Sequence, residues 1–289
     1  MRVAVCVLLA GCGRIAFDSV NDAAPAAPTF SAPNAIAELS AGAGTDDPTL
    51  TQDQREIYFA TYRNASIHEQ VWHATRATVD SAWDAPTLAA ELDDNTNNGS
   101  PELSFDGLTL YVSKTATGNG DIYEATRPTL GAAFGMPILI SGDVNTNAQE
   151  FSGTPSADGL EFFYHVTAQT DGTGLGELWV ATRATTSSVW SNAHRIDELA
   201  DGYDARNPFP TADGLVLYFS SASPLGDPTS AKKQIFRATR ATRTAPWNPA
   251  LPVESLRDVT SDLQDPWLPA DQSRIYFSNG TALLSASAI

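Results

Sequence analysis

The chain has 289 residues, of which 42 % are hydrophobic, and it carries a net charge of −17. This composition supplies enough apolar side chains for a packed core. The acidic excess argues against nucleic acids and anionic membrane surfaces as partners, because both require a basic face. A solvated acidic surface that maintains solubility is the simplest interpretation of the charge, and cation binding stays open.

The first twelve residues have the features of a bacterial lipoprotein signal peptide. Arg2 precedes a short apolar run, and Leu9-Ala10-Gly11-Cys12 resembles the lipobox, in which the signal is cut before a cysteine that then carries the lipid. An ordinary signal peptide with a chance cysteine is the alternative. The resemblance implies lipidation at Cys12 and a location in the cell envelope. Gly13 favours the outer membrane, on either its periplasmic or its surface face.

Residues 13–29 form the predicted connection between the lipid and the folded domain. They are rich in Ala, Pro and Asp and show no periodicity, which is typical of a flexible tether. No later stretch approaches the roughly 20 apolar residues that a membrane-spanning helix needs. The lipid is therefore the only predicted membrane contact. The only cysteine besides Cys12 is Cys6, inside the signal, so we expect no disulfide in the mature chain.

An aspartate followed five residues later by an aromatic recurs five times. The pairs are Asp53–Tyr58, Asp106–Tyr111, Asp158–Phe163, Asp213–Tyr218 and Asp271–Tyr276. A regular period of this size indicates one structural unit used repeatedly. Within a unit, strand-like runs alternate with turns rich in Asp and Gly, which predicts four antiparallel strands, or one propeller blade. The predicted fold is all-β: a five-bladed β-propeller of four-stranded antiparallel blades over residues 30–289.

A second pattern links an arginine to an aromatic seven residues later. It occurs as Arg76–Trp83, Arg127–Phe134, Arg183–Trp190 and Arg240–Trp247, each arginine ending an Ala-Thr-Arg tripeptide. We expect the aromatics to pack between blades and the arginines to contact a neighbouring loop or acid.

The fifth unit ends after its third strand, and the missing strand is predicted at the other end of the chain. Phe30 and Glu38-Leu39 have the same spacing as Trp83 and Glu91-Leu92. We therefore expect residues 30–40 to complete the last blade, which closes the ring and removes an exposed sheet edge.

The stretches Pro101–Val112 and Pro208–Phe219 resemble the repeat of TolB-type, WD-like periplasmic propellers. In TolB the propeller is a protein–protein interaction module, and the separate N-terminal domain of TolB has no counterpart here. The resemblance implies a non-enzymatic binding scaffold. We expect a monomer whose partner is an envelope protein or a glycan that meets the loop face around the channel.

Candidate site residues follow from the position of the first strand of each blade, which lines the channel of a propeller. Small oxygen-bearing residues stand six positions before each turn aspartate: Asp47, Ser100, Ser152, Asn207 and Asp265. Acids near them include Asp46, Glu150 and Asp204. Such a ring of oxygens can hold calcium or a polar ligand. Loop capping by small polar residues is the simpler alternative.

An enzymatic interpretation is the main alternative to the scaffold. Some five-bladed propellers are glycosidases with two or three channel carboxylates, and Asp47, Asp265 and Glu102 or Glu150 fit that scheme. The sequence has no HExxH motif, nucleophile elbow or phosphate loop, and it predicts no catalytic residue outright. The alternatives to a scaffold are thus a carbohydrate-active hydrolase or lyase with an acidic channel, and a calcium-binding structural propeller.

Overall fold

The computed structural model describes residues 28–40, 43–63, 66–115, 119–167, 174–200, 202–223 and 232–289. Within these ranges, twenty strands form five four-stranded antiparallel sheets, which confirms the predicted five-bladed propeller. Cys12 and the tether up to residue 27 lie outside the described residues. No helix in the described ranges has the length and hydrophobicity needed to cross a membrane.

Each blade is a meander in which the innermost strand comes first. Blade one contains β2 (Ala43–Leu50), β3 (Glu56–Tyr62), β4 (Gln70–Thr75) and β5 (Thr87–Leu88). Blade two contains β6 (Asn98–Leu103), β7 (Thr109–Lys114), β8 (Asp121–Thr126) and β9 (Ile138–Leu139). Blade three contains β10 (Gln149–Pro155), β11 (Glu161–Thr167), β12 (Gly176–Thr182) and β13 (Ser191–Arg195). Blade four contains β14 (Ala205–Pro210), β15 (Val216–Ser221), β16 (Gln234–Thr239) and β17 (Leu251–Pro252).

Blade five is closed by the N-terminal segment, as the sequence predicts. It contains β18 (Gln264–Trp267), β19 (Arg274–Ser278), β20 (Leu283–Ser287) and, at its outer edge, β1 (Asn34–Ala35). Asn34 pairs with Ser285 in antiparallel register. Phe30 and Leu39 flank this pairing and are buried in the core. The two ends of the described chain therefore belong to one sheet.

The turn aspartates have a structural role in the hairpins between the first and second strands. In blade two, Asp106 accepts hydrogen bonds from the Ser104 hydroxyl at 2.7 Å and from the Leu108 backbone N–H at 3.0 Å. The backbone N–H two residues after the aspartate donates the equivalent hydrogen bond to Asp53, Asp158, Asp213 and Asp271. These contacts are those of an Asx turn, which explains why the residue recurs in every blade.

The repeated arginines connect neighbouring blades. The guanidinium of Arg127 lies 4.6 Å from the Phe134 ring centroid and donates at 2.7 Å to the carbonyl of Gly107. It also forms two hydrogen bonds of 2.8 Å to Glu56 of blade one. The predicted packing of arginine, aromatic and neighbouring acid is thus observed. At the position of Glu56, blade two carries Thr109, so Arg183 of blade three lacks an ion pair of this kind in the described structure.

Replacing Arg127 by alanine is expected to lower the free energy of unfolding by about 3 kcal/mol, because it leaves the Glu56 carboxylate without its buried partner. The matched variant Arg183→Ala removes the same ring contact and the bond to the Gly159 carbonyl, but no ion pair with the preceding blade. Urea denaturation of both variants measures how much free energy of unfolding each of them loses. Equal losses would show that the ion pair adds nothing to the packing.

Candidate functional site

The five predicted channel residues converge on the propeller axis. Each has a left-handed backbone, with φ of 50° at Asp47, 47° at Ser100, 53° at Ser152, 55° at Asn207 and 60° at Asp265. Each lies at a register shift between the first and second strands of its blade. A bulge of this kind redirects a side chain, and Asp and Asn tolerate the left-handed conformation better than most residues.

One hydrogen-bond network joins these residues, and Asp47 is its centre. Asp47 Oδ2 accepts from the Ser100 N–H at 3.0 Å and from the Ser100 hydroxyl at 3.2 Å. The Asp47 N–H donates to Asp265 Oδ2 at 3.2 Å. The Asn207 amide donates to Ser152 Oγ at 3.0 Å and, at 3.4 Å, to Asp47 Oδ1. The structure thus brings all five together, and their binding of a ligand stays a prediction.

Two further acids join this cluster at the mouth of the channel. Asp46 precedes Asp47 on β2 and has one buried oxygen without a partner among the described residues. Glu69 comes from the loop between β3 and β4 and lies against Gly99 of β6. We call the group formed by Asp46, Asp47, Glu69, Ser100, Ser152, Asn207 and Asp265 the axial site. Glu69 is absent from the sequence-based candidates because they were taken from the first strand of each blade, whereas Glu69 lies seven residues before Arg76, at a position that holds an acid in no other unit with this arginine.

Glu102 lies close enough to Asp47 for the charge of Asp47 to affect the pKa of Glu102. Its side chain is buried, and its Oε2 has no hydrogen-bond partner among the described residues. Burial raises the pKa of Glu102 well above its ordinary value, and the charge of Asp47 adds to the effect. Glu102 therefore extends the acidic region beyond the axial site.

Glu150 and Asp204, also predicted from the sequence, have other partners. Glu150 is fully buried and accepts a hydrogen bond from the Thr146 hydroxyl. Asp204 accepts from Arg206 Nε at 2.6 Å and forms a salt bridge of 3.0 Å with Lys233. Burial alone would raise the pKa of Asp204, but the hydrogen bonds from Arg206 and the Gly176 N–H lower it overall. No hydrogen bond or ion pair connects these two acids to the axial site in the described structure.

The acids of the axial site differ in their ability to hold a proton. Burial raises the pKa of Asp46 to about 9, and the charges of Asp47 and Glu69 add to the effect. Burial and then the charge of Asp47 raise the pKa of Glu69 to about 8. The pKa of Asp265 is also raised well above its ordinary value, first by burial and then by Asp47.

Asp47 differs from the other acids of this group in its hydrogen bonds. Burial raises the pKa of Asp47, but hydrogen bonds from the Asp265 carboxyl and from Ser100 oppose that rise. The arrangement therefore gathers several buried acids whose pKa values are raised and whose charges affect one another. Strongly perturbed carboxyls that lie together are typical of functional sites.

Aromatic side chains fill the channel on the side of the hairpin turns. The rings of Phe209 and Trp267 are 6.0 Å apart, and both residues are buried. A cavity of about 20 Å³ lies next to Phe209, Trp267 and Leu103 at this end. Tyr62, the last residue of β3, is 40 % exposed.

A metal centre built from side chains is not found. In the parts of the chain that the structure describes, no three His, Cys, Asp or Glu side chains are arranged to hold a metal ion. The predicted calcium ring also includes hydroxyl and amide oxygens of Ser100, Ser152 and Asn207, so calcium binding stays a prediction.

The raised pKa values predict that the protein loses stability as the pH increases from about 5 to about 9. A carboxyl with a raised folded-state pKa stabilises the fold fully below its unfolded pKa, and that contribution is lost as the pH rises through the folded value. For Asp46 this window runs from 3.8 to about 9. Each such group contributes a slope of up to about 1.4 kcal/mol per pH unit.

Melting temperatures measured from pH 5 to pH 9 test this expectation. The double variant Asp46→Asn, Glu69→Gln should flatten the slope, because it removes two of the titrating groups. Below about pH 4 the trend should reverse, since Asp94 and Asp158 have pKa values lowered to about 2 and lose their stabilising charge there. A wild-type melting temperature that is constant or increases between pH 5 and pH 9 would contradict the burial of these acids.

The fold and the axial site together define the class of this protein: a five-bladed β-propeller with a cluster of buried acids on its axis. No protein-family model matches the sequence, and no curated protein sequence matches it either. Similarity is found at the level of structure.

Two enzymes of comparable size match along most of both chains. The catalytic domain of a GH62 α-L-arabinofuranosidase from Coprinopsis cinerea superposes with a TM-score of 0.60 and 11 % identity, covering 90 % of this chain and 97 % of that one. An endo-arabinase from Bacteroides thetaiotaomicron gives a TM-score of 0.58 and 14 % identity, covering 90 % and 97 %. At these identities the similarity establishes the shared fold.

TolB β-propellers are also among the structural neighbours. The putative TolB from Agrobacterium tumefaciens has a TM-score of 0.49 and 14 % identity, covering 81 % of this chain and 69 % of that one. The WD-like assignment and the lipoprotein anchor stay predictions from the sequence.

The non-enzymatic scaffold expected from the sequence is corrected by these findings. The propellers that match this chain over at least nine-tenths of its length include an arabinofuranosidase and an endo-arabinase, both of which are enzymes. The scaffold is therefore withdrawn, and an enzymatic role becomes the hypothesis to be tested.

Proposed function

We propose that the protein is a carbohydrate-active hydrolase whose reaction takes place at the axial site. The observation that carries this proposal is the position of Asp47, whose side chain accepts two hydrogen bonds from Ser100 and whose N–H donates to Asp265, among acids with raised pKa values. Glycoside hydrolysis requires this division of roles. One carboxyl protonates the departing oxygen, while a carboxylate attacks the sugar or activates a water molecule.

Asp47 takes the role of the carboxylate in this proposal. Its hydrogen bonds hold the side chain in one orientation, since Ser100 contributes both its N–H and its hydroxyl to the same oxygen. Asp265 accepts a hydrogen bond from the Asp47 N–H at 3.2 Å, and in this proposal the charge of each carboxyl affects the pKa of the other. The rings of Phe209 and Trp267 limit access of water from the hairpin-turn end of the channel, which strengthens the electrostatic interactions among the acids.

The proposed substrates are glycans that contain arabinose. The support is the similarity in fold to an α-L-arabinofuranosidase and to an endo-arabinase. We also propose, from the lipobox alone, that a lipid on Cys12 holds the protein in the cell envelope and that residues 13–29 act as a tether. A monomer in that position would meet glycans through the channel mouth.

A hydrolysis screen tests the proposed function. Protein beginning at residue 28 is incubated with arabinan, arabinoxylan, other plant and bacterial polysaccharides, and 4-nitrophenyl α-L-arabinofuranoside. Released sugars are separated by anion-exchange chromatography. We expect release from at least one arabinose-containing substrate and none by the Asp47→Asn variant. Absence of release from the whole panel by folded wild-type protein would overturn the proposal.

A further inference from the structure

Glu69 breaks the symmetry of the repeats at the channel mouth. In blades one and two, the residue that directly precedes the third strand lies against a residue on the first strand of the next blade. That second residue stands seven positions before the turn aspartate of its own blade. Between blades two and three this pair is Gly120 and Phe151, with the small residue in the loop and the large one on the strand. Between blades one and two the order is reversed: the strand carries Gly99 and the loop carries Glu69. An acid from a loop therefore enters the mouth at this interface.

The backbone on both sides of Glu69 is fixed to blade two. The Glu69 N–H donates to Asn97 Oδ1 at 3.0 Å, and the Glu69 carbonyl accepts from the Asn98 N–H at 3.0 Å. The side chain then lies across Gly99, where an added Cβ would be 2.3 Å from Glu69 Oε2. The missing side chain of Gly99 thus provides the space that the carboxyl occupies.

The contacts of Glu69 set an upper limit on the distance between its carboxyl group and that of Asp47. Gly99 is bonded to Ser100, whose N–H donates to Asp47 at 3.0 Å. Together with standard backbone dimensions, the contacts limit the separation of the two carboxyl groups to about 9 Å or less. Pairs of catalytic carboxyls in glycosidases are about 5 to 9.5 Å apart. The geometry is therefore compatible with an acid and a carboxylate that act on one glycosidic bond.

We propose that Glu69 is the general acid of the axial site, an inference that rests on the proposed hydrolase function. Glu69 gives its proton to the departing oxygen as the bond between that oxygen and the anomeric carbon breaks. Asp47 either attacks the anomeric carbon directly or accepts a proton from the water that attacks. In the first case a water molecule later displaces Asp47 and gives its proton to Glu69; in the second case Asp47 loses its proton to solvent and Glu69 regains one from solvent.

The surroundings of Glu69 keep that proton in place. Asp46, Asp47 and Tyr62 face it, and none of them carries a positive charge. The resulting pKa of about 8 is close to neutral, where a general acid works most efficiently. Asp46 is less suited to the role, because one of its oxygens is buried without a partner.

Leaving-group dependence provides the test. Two arabinofuranosides with the same sugar are compared, one with 2,4-dinitrophenol as leaving group and one with methanol. The Glu69→Gln variant is expected to lose about 10²- to 10⁴-fold in kcat/KM on the methyl glycoside, which needs protonation, and less than tenfold on the dinitrophenyl glycoside. Glu38→Gln, an exposed glutamate outside the site, is the matched control and should behave as the wild type.

A second variant separates the position of Glu69 from its chemistry. Gly99→Ala keeps the carboxyl but displaces it, and the φ of Gly99 lies outside the left-handed range, so alanine fits the backbone. We expect the same leaving-group dependence as for Glu69→Gln. NMR of protein labelled with ¹³C at the glutamate carboxyls should show one resonance that titrates near pH 8 and is missing in Glu69→Gln.

The outcomes distinguish a failure of the proposed hydrolase function from a failure of the proposed role of Glu69. Folded wild-type protein that hydrolyses neither of these glycosides nor any substrate of the panel overturns the proposed function and the role of Glu69 with it. Active wild-type protein in which Glu69→Gln loses equally on both substrates, or loses nothing, overturns only the role of Glu69. A Glu69 resonance that titrates near an ordinary glutamate pKa has the same consequence.

Discussion

Replacement of Asp47 by asparagine is expected to reduce kcat/KM for glycoside hydrolysis at least about 10³-fold while leaving the protein folded. The variant removes the carboxylate at the centre of the axial network, and no other acid there combines two hydrogen bonds from Ser100 with one from Asp265. Removal of a catalytic nucleophile or base typically costs this much or more. Asparagine tolerates the left-handed backbone of residue 47, so the fold should be retained.

The same variant should change the titration of its neighbours. The charge of Asp47 contributes to the raised pKa values of Glu69, Glu102 and Asp265, so its loss should lower all three. At pH 8 the melting temperature of Asp47→Asn should therefore equal or exceed that of the wild type. Asp106→Asn, which alters an exposed hairpin, is the control for removing an aspartate elsewhere. Hydrolysis by Asp47→Asn at the wild-type rate would exclude the axial site as the reaction centre.

Deletion of residues 30–40 is expected to abolish cooperative unfolding or to produce oligomers. The segment supplies the outer strand of blade five and the buried side chains of Phe30, Ile36 and Leu39. Burial of each such side chain contributes about 1.5–3 kcal/mol. The total is a large share of the roughly 5–15 kcal/mol that stabilises a typical protein. The deletion also exposes the edge of β20, which then offers unpaired backbone groups to another chain.

Protein that begins at residue 28 is the control for this deletion, since it keeps the closing strand. A synthetic peptide of residues 28–40 added to the truncated protein should restore the monomer and raise the melting temperature. Calorimetry and size-exclusion chromatography report both quantities. A truncated monomer with an unchanged melting temperature would mean that β1 does not close the ring.

The catalytic interpretation changes which features of the repeats relate to function. Asp53, Asp106 and their equivalents accept bonds within their own hairpins, Asp158 also pairs with Arg243 of blade four, and none of them belongs to the axial site. The residues that differ between blades, Glu69 and Gly99 above all, form the acidic side of the mouth. Repetition in this protein marks structure, and departures from it mark the candidate chemistry.

The sequence by itself determined the number of blades, the closing strand, the hairpin turns and the contact of Arg127 with an acid of the neighbouring blade. All of these depend on local spacing that recurs in the chain, so each unit supports the interpretation of the others. The five axis residues were also predictable, because one position six residues before each turn defines them.

Only the tertiary structure decided how those residues act together. Asp47 and Asp265 are separated by 218 residues and meet only because the ring closes. Glu69 departs from its equivalent Gly120 in side chain, and its location depends on space left by Gly99 in another blade. The pKa values of these acids depend on burial and on one another's charges, which exist only after folding. For that reason the sequence favoured a scaffold, and the folded arrangement of acids favours an enzyme.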